Sequence, residues 1–446
     1  VSAADPDAAL FAPIENPRPG FYAIVGLLMA GTAFGVYCWS RQLRMGLGET
    51  GLAMPVSWGF YVTNFVFFIG ISHAGTLISA ILRISQAEWR RPITRLAEFI
   101  TVAVLAVGGL QIIVDMGRPD RLLNVIWYGR YQSPLLWDAT SITAYLTASS
   151  IYLYVPMIPD IAMLRDRGTS PKFFYEVLAM GWRGTARQKR ILSRAISILA
   201  VMVIPIAVSV HTVVAFVFSM TLQPGWHSTV FGPYFVVGAI FSGIAALLLA
   251  MIAFRWAYGL HAYLKEVHFN YLGILLLIMS LLWFYFTFVE YLTTYYGGEP
   301  DELAVFFQKW TGPYAVYFWA MGVCNFLIPV LILSFRRSIP AVGIASVFVL
   351  IGMWLERFVI IVPTLSRPRL PELATGHYLP SWLEWGELFG SFCMFALIYV
   401  LFTRLFPIVS IWEIREGREE GLHDVESRLK SYLPDYAESG ATGDRS

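Results

Sequence analysis

Charge is what this sequence has least of. Only 14% of its 446 residues are Asp, Glu, Lys or Arg, against about a quarter in soluble chains. Hydrophobic residues make up 57%, aromatic ones 16%, and the mean hydropathy is +0.61, more apolar surface than a water-soluble fold can hide. A net charge of +2, with no basic run interleaved with aromatics outside the membrane-flanking loops, excludes a nucleic-acid partner. Cysteine is nearly missing. Cys38, Cys324 and Cys393 stand singly in apolar stretches, without the CxxC spacing of zinc or iron–sulfur sites, and read as small buried hydrophobes. Of seven histidines, His227, His261, His268, His377 and His423 fall in or beside loops, and only His73 and His211 lie deep. No nucleotide fingerprint is present. The chain opens at Val1 on a polar Ala/Asp/Pro segment and not on a basic and then apolar leader, so insertion through its own helices is expected.

What the sequence has in abundance is long apolar runs. A bilayer core takes about 20 mostly apolar residues per helix, and ten stretches qualify, near 20–40, 56–82, 96–115, 135–158, 191–219, 229–254, 270–292, 313–335, 340–362 and 383–407. The expected fold is an all-α integral membrane protein of about ten transmembrane helices. A segment 1–19 precedes the membrane domain 20–407, and a tail 408–446 follows it. Helices two to five (56–219) and six to nine (229–362) each make two hairpins of comparable length, the pattern of two four-helix bundles with a flanking helix on either side. Gly31 and Gly35 have the spacing of close helix–helix approach. Lysine and arginine are densest in the loops after helices two, four, six and eight, above all from Arg183 to Arg194, which places those loops and both termini in the cytoplasm. The charged stretch from Arg415, with Pro434, reads as a soluble extension, either a docking segment or a solvated tail.

Ionisable groups inside spans are costly and mark function by default. They are His73, Asp115, Asp138, Arg194, His211, Glu290, Glu356 and Arg357. In this topology most crowd the non-cytoplasmic half, whereas a transporter places its site near the midplane on broken helices. A site oxidising quinol near the outer face needs a carboxylate or imidazole within reach of each hydroxyl, and aromatic walls for the ring. Trp58, Tyr128, Tyr131 and Trp137 stand at matching depth. Each residue also has a plainer reading: Asp115 and Asp138 as solvated or capping helix ends, His211 as a hydrogen-bonded core histidine, Glu356 with Arg357 as a structural ion pair. His73, about 25 Å down its helix by helical rise, is expected in the inner half, out of contact with the outer cluster and serving only a path leading away from it. With the two deep histidines at different depths, a bis-histidine haem is not expected. A chain with no haem, no cluster and no nucleotide must pass electrons to a partner.

The stretches WGFYVTNFVFFIGISHAGTLISAIL, VDMGRPDRLLNVIW and SPLLWDATSITAY resemble the NrfD/PsrC-like membrane subunits of molybdoenzyme-type complexes. Within that family they are most similar to the ActC-type membrane subunit of alternative complex III, more than to its paralogue in the same complex. The likeness runs over nearly the whole chain. It implies ten helices in two four-helix bundles and a menaquinol or ubiquinol pocket near the periplasmic face of a bacterial inner membrane. It also implies a periplasmic iron–sulfur subunit that takes the electrons, and further membrane and cytochrome c subunits. The aspartate of SPLLWD is Asp138, and the residue before MGRP is Asp115, where histidine is common in the family. The leading expectation is quinol oxidation in a respiratory or photosynthetic electron-transfer complex, with Asp115, Asp138 and His211 taking or relaying protons and Arg118 steadying charge beside Asp115. A second expectation adds proton translocation through His73, Glu290, Glu356 and Arg357. The rival classes are a secondary transporter binding a small anion through Arg357, and a scaffold that only anchors redox subunits.

Overall fold

In the computed structural model, residues 7–15, 17, 19–221, 223–367 and 377–419 are described. Residues 1–6, and the tail beyond 419 with Pro434 and His423, lie outside them. Ten long helices carry the architecture: α1 (Pro19–Met45), α2 (Phe60–Ile84), α3 (Thr94–Asp115), α4 (Pro134–Asp166), α5 (Ala186–Ser219), α6 (Phe231–Ala257), α7 (Glu266–Gly297), α8 (Ala315–Phe335), α9 (Ile339–Leu365) and α10 (Trp382–Leu405). Among the described residues, nine are long and apolar enough to cross a membrane. The exception, α4, is 33 residues long but rich in hydroxyls. Thr140, Thr143, Thr147 and Ser150 each donate to the carbonyl four residues back, at 2.7 to 2.8 Å, so these polar groups are satisfied within the helix itself.

The helices pack as the hairpin pattern predicts. α2–α5 form one bundle and α6–α9 the other, joined where α2 packs on α6 and α9, while α1 and α10 pair with each other and lean on α3. The α1–α10 crossing depends on glycine: a Cβ on Gly35 would sit 2.7 Å from the Gly390 Cα, and Gly31 faces Cys393 equally closely. A Cβ on Gly75 would lie 1.8 Å from the Ala97 carbonyl oxygen, which sets how closely α2 meets α3. One helix changes pitch. Pro329 has no N–H to give the carbonyl four residues back, that of Asn325. There α8 widens into a π turn, Val323–Leu327, and Ser280 Oγ of α7 donates to the Asn325 carbonyl at 2.6 Å instead.

The end expected from the lysine and arginine distribution to face the cytoplasm, termed inner and its opposite outer, is held by buried charge. Arg95 Nη1 meets Asp160 at 2.5 Å with both side chains inaccessible, and Asp160 also accepts from the backbone N–H groups of Ile411 and Trp412. Glu413 pairs with Arg83 and Arg90. Asp7 pairs with Arg415 and Arg418, so the start of the tail, read from sequence as a soluble extension, is packed against the inner helix ends as far as the described residues run.

Candidate functional site

Two carboxylates stand at the outer ends of the first bundle. Asp138, in the first turns of α4, is 7% exposed. Asp115 is the last residue of α3 and half-buried. Each has an Oδ1 that is buried without a hydrogen-bond partner in the protein. Buried polar atoms are nearly always satisfied, and an orphaned one costs about 1–3 kcal/mol, so each of these oxygens is an acceptor that the protein itself leaves open. The charged neighbour of Asp115 is Glu384, not Arg118. The Arg118 side chain is 63% exposed and engaged with Asp120 at 2.9 Å. Glu384 accepts from the Gly51 and Ser381 N–H groups at 2.7 and 2.8 Å and from Tyr378 Oη. One turn deeper, Glu387 accepts from Gln111 Nε2 at 2.7 Å.

The aromatic residues expected as one set of walls are not gathered. Tyr131 is 89% exposed, and its carbonyl accepts from Trp137 Nε1 at 2.5 Å on the outer surface. Trp58 is elsewhere, edge-on to Phe218 at 5.7 Å and stacked with Trp226 at 6.3 Å. The loop between α3 and α4 presents Ile126, Trp127, Tyr128 and Tyr131 outward, an apolar and aromatic surface.

The histidines overturn the expected depth ordering. His73 and His211 are in ring contact, with centroids 3.7 Å apart. Counting from the start of α2 at Phe60, and not from residue 56, His73 lies about 20 Å in. α5 is long enough for His211, two turns before its outer end, to reach the same level. His73 Nε2 lies 2.5 Å from the Ala207 carbonyl oxygen and so carries the proton in the neutral ring. Neither nitrogen of His211 has a partner in the protein.

Arg357 points from α9 into the seam between the bundles, within electrostatic reach of both histidines. Its guanidinium lies 4.9 Å from the Phe235 ring centroid, and a Cβ on Gly238 would come within 2.8 Å of its Nη2. Glu356 Oε2 is 2.9 Å from Arg357 Nη1 but off the hydrogen-bond line, which leaves Oε2, Nη1 and Nη2 unbonded. Trp283 Nε1 holds Glu356 Oε1 at 2.6 Å.

Two buried polar columns run from this centre in opposite directions. In the first bundle, Tyr145 Oη donates to Thr76 Oγ1 at 3.1 Å and Thr76 to Thr101 Oγ1 at 3.0 Å. A turn further in, Ser79 Oγ donates to Glu98 at 2.6 Å and lies 3.2 Å from Tyr152 Oη, beside the Arg83–Glu413 pair at the inner end. In the second bundle, α7 buries Ser280, Trp283, Thr287 and Glu290 on one face, the i, i+3, i+7, i+10 spacing of a single stripe. Thr287 Oγ1 donates to Tyr234 Oη at 3.4 Å, and Glu290 accepts from Ser228 Oγ.

Glu98, Glu384 and Glu387 carry in sequence the same signal as the expected site residues, an acidic side chain inside an apolar run. They lie within two turns of a helix end, where solvation is the ordinary expectation. Arg194 has no described role in any of these clusters.

Residues 48–369 match the model of the polysulphide reductase, NrfD family. A putative dimethyl sulfoxide reductase membrane subunit of Halobacterium salinarum is 26% identical, over 87% of this chain and 91% of that protein. An Hdr-like menaquinol oxidoreductase integral membrane subunit of Archaeoglobus fulgidus is 27% identical, over 93% of this chain and 100% of its own length. A menaquinone reductase integral membrane subunit of Nitratidesulfovibrio vulgaris is 24% identical, over 84% and 88%. With the family model covering well over half of a chain folded into apolar helices, this integral membrane protein belongs to the polysulphide reductase, NrfD family.

Proposed function

We propose that the chain is the quinol-oxidising membrane subunit of a multi-subunit respiratory complex, of the kind its resemblance to the ActC-type subunit of alternative complex III suggests. The observation that carries this is the pair of buried carboxyl oxygens, one on Asp115 and one on Asp138, that no group in the protein satisfies. A hydroquinone hydroxyl, carried on a flat apolar ring, is a donor of the kind each of them lacks. As it becomes quinone it gives up two protons and two electrons. Asp138 and Asp115 take the protons and deliver them to the outer side, and the electrons pass to an iron–sulfur centre on a partner docked over the exposed aromatic loop between α3 and α4. The A. fulgidus and N. vulgaris relatives bear the names of a menaquinol oxidoreductase and a menaquinone reductase, which favours menaquinol as the substrate. The test is quinol oxidation by the assembled complex with both carboxylates changed to amides. Loss of turnover at normal assembly supports the reading, and parental turnover removes it.

The polar columns favour an additional role in proton transfer across the membrane. The inward column ends at the His73–His211 pair, the outward one begins at Glu356, and Arg357 stands between them. Protons would enter by Glu98 and Ser79 and leave by Glu290, with Trp283 and Arg357 holding Glu356 in place between them.

A further inference from the structure

The outward column does not stop at Glu290. Above it lies the short helix Pro300–Trp310, which closes the mouth of the second bundle, and its Lys309 turns inward and is 7% exposed. Lysine is almost never buried without a reason. Its ammonium is 5.8 Å from the centroid of the Tyr291 ring, and the charge that reaches it is Glu290. Lys309, Glu290 and Glu356 line one cavity of about 30 Å³ together with Tyr234, Tyr291 and Glu302, enough to admit water. The titratable groups facing Lys309 are therefore Glu290 and Tyr291 from α7, Tyr234 from α6, Glu356 from α9 and Glu302 from its own helix. No other described lysine or arginine lines that cavity.

We propose that Lys309 is the proton-holding group at the outward end of the second-bundle column, taking a proton that leaves Glu356 through the cavity they share and releasing it to the outer side. The proposal rests on the proton-transfer reading given above. In the step, the Glu356 carboxyl gives up its proton and becomes a carboxylate beside Arg357, while the Lys309 amine gains one and becomes an ammonium beside Glu290. No electrons move. Burial pushes the Lys309 ammonium down to about 8, with the Glu290 charge opposing, so that both its forms are accessible near neutral pH. Arginine in the same place would be charged at all times.

That difference supplies the test. The parental complex, Lys309→Arg and Lys309→Met are reconstituted in proteoliposomes with a membrane-soluble quinol, and protons appearing outside are counted per electron delivered. The parental ratio is expected to exceed the yield of quinol chemistry alone. In Lys309→Arg it should fall to that chemical yield, even though Arg keeps the charge opposite Glu290, and a titration of the ratio near pH 8 should vanish with it. A purely structural lysine predicts the reverse, rescue by Arg and loss only in Met, and that result overturns the proposal. A parental complex that yields nothing beyond the quinol's own protons would remove the proton-transfer reading itself, and Lys309's role with it.

Discussion

Changing Asp138 to Asn replaces one carboxyl oxygen by an amide and leaves the shape of the side chain intact. The residue is 7% exposed and one of its oxygens has no partner in the protein, so the amide faces the same surroundings without a charge to desolvate, and assembly should survive. What the amide cannot do is take a proton. General-base assistance is worth about 10² to 10⁴ in rate, and a hundredfold corresponds to about 2.7 kcal/mol of barrier. Binding should suffer less. The amide still accepts from a hydroxyl, and exchanging one hydrogen-bond acceptor for another alters affinity by about 1 kcal/mol, roughly fivefold. The expected signature is a kcat reduced at least a hundredfold with KM moved by less than tenfold. It should be measured as quinol-dependent electron delivery by the purified complex, with subunit stoichiometry checked on the same sample. A fully assembled Asp138→Asn complex turning over at the parental rate from pH 6 to 9 would refute the reasoning and leave the residue as a helix-end carboxylate.

Asp115→Asn should lower the same rate more mildly, because this side chain is half-buried and already shares its surroundings with Glu384; a loss larger than that of Asp138→Asn would reverse the assignment of the two. Glu356→Gln should lower protons moved per electron in proteoliposomes, and an unchanged ratio would leave only the ion pair with Arg357. Arg95→Met strands the buried Asp160 carboxylate and should cost about 3–5 kcal/mol, seen as a lowered Tm of the purified complex; a Tm within error of the parent would mean that the clamp bears no load. Crosslinkers placed at Tyr128 or Arg130 should capture a partner on the outer face, and capture of cytoplasmic proteins alone would refute both topology and docking site.

The hydrophobic periodicity carried the architecture because spans are long, uniform and insulated from one another by short loops. All ten helices and the pairing into two bundles follow from it, including α4, whose hydroxyls dilute its hydropathy but bond back to its own carbonyls. Depth was harder to read. The ring contact of His73 with His211 depends on where α2 begins and how far α5 runs, and an error of four residues moves a side chain by about 6 Å. Composition could place Tyr131 and Trp137 near the outer surface but could not tell which way a loop turns, and they bond to each other at the surface while Asp138 is buried. Arg118 sits beside Asp115 in sequence, yet the turn that follows α3 gives it to Asp120. Lys309 lies on an eleven-residue helix between spans, too short to be read as membrane-embedded, and only its burial against Glu290 and Tyr291 distinguishes it from a solvated lysine.

The most direct test of quinol oxidation at the outer carboxylates is a density map of the assembled complex with quinol or a tight quinol analogue bound. A ring is expected at the outer ends of α3 and α4, with a hydroxyl oxygen within hydrogen-bond distance of Asp138. A headgroup resolved elsewhere, for example in the apolar groove that Phe21 of α1, Leu249 of α6, Leu350 of α9 and Phe392 of α10 line, with Asp138 still untouched, would contradict it.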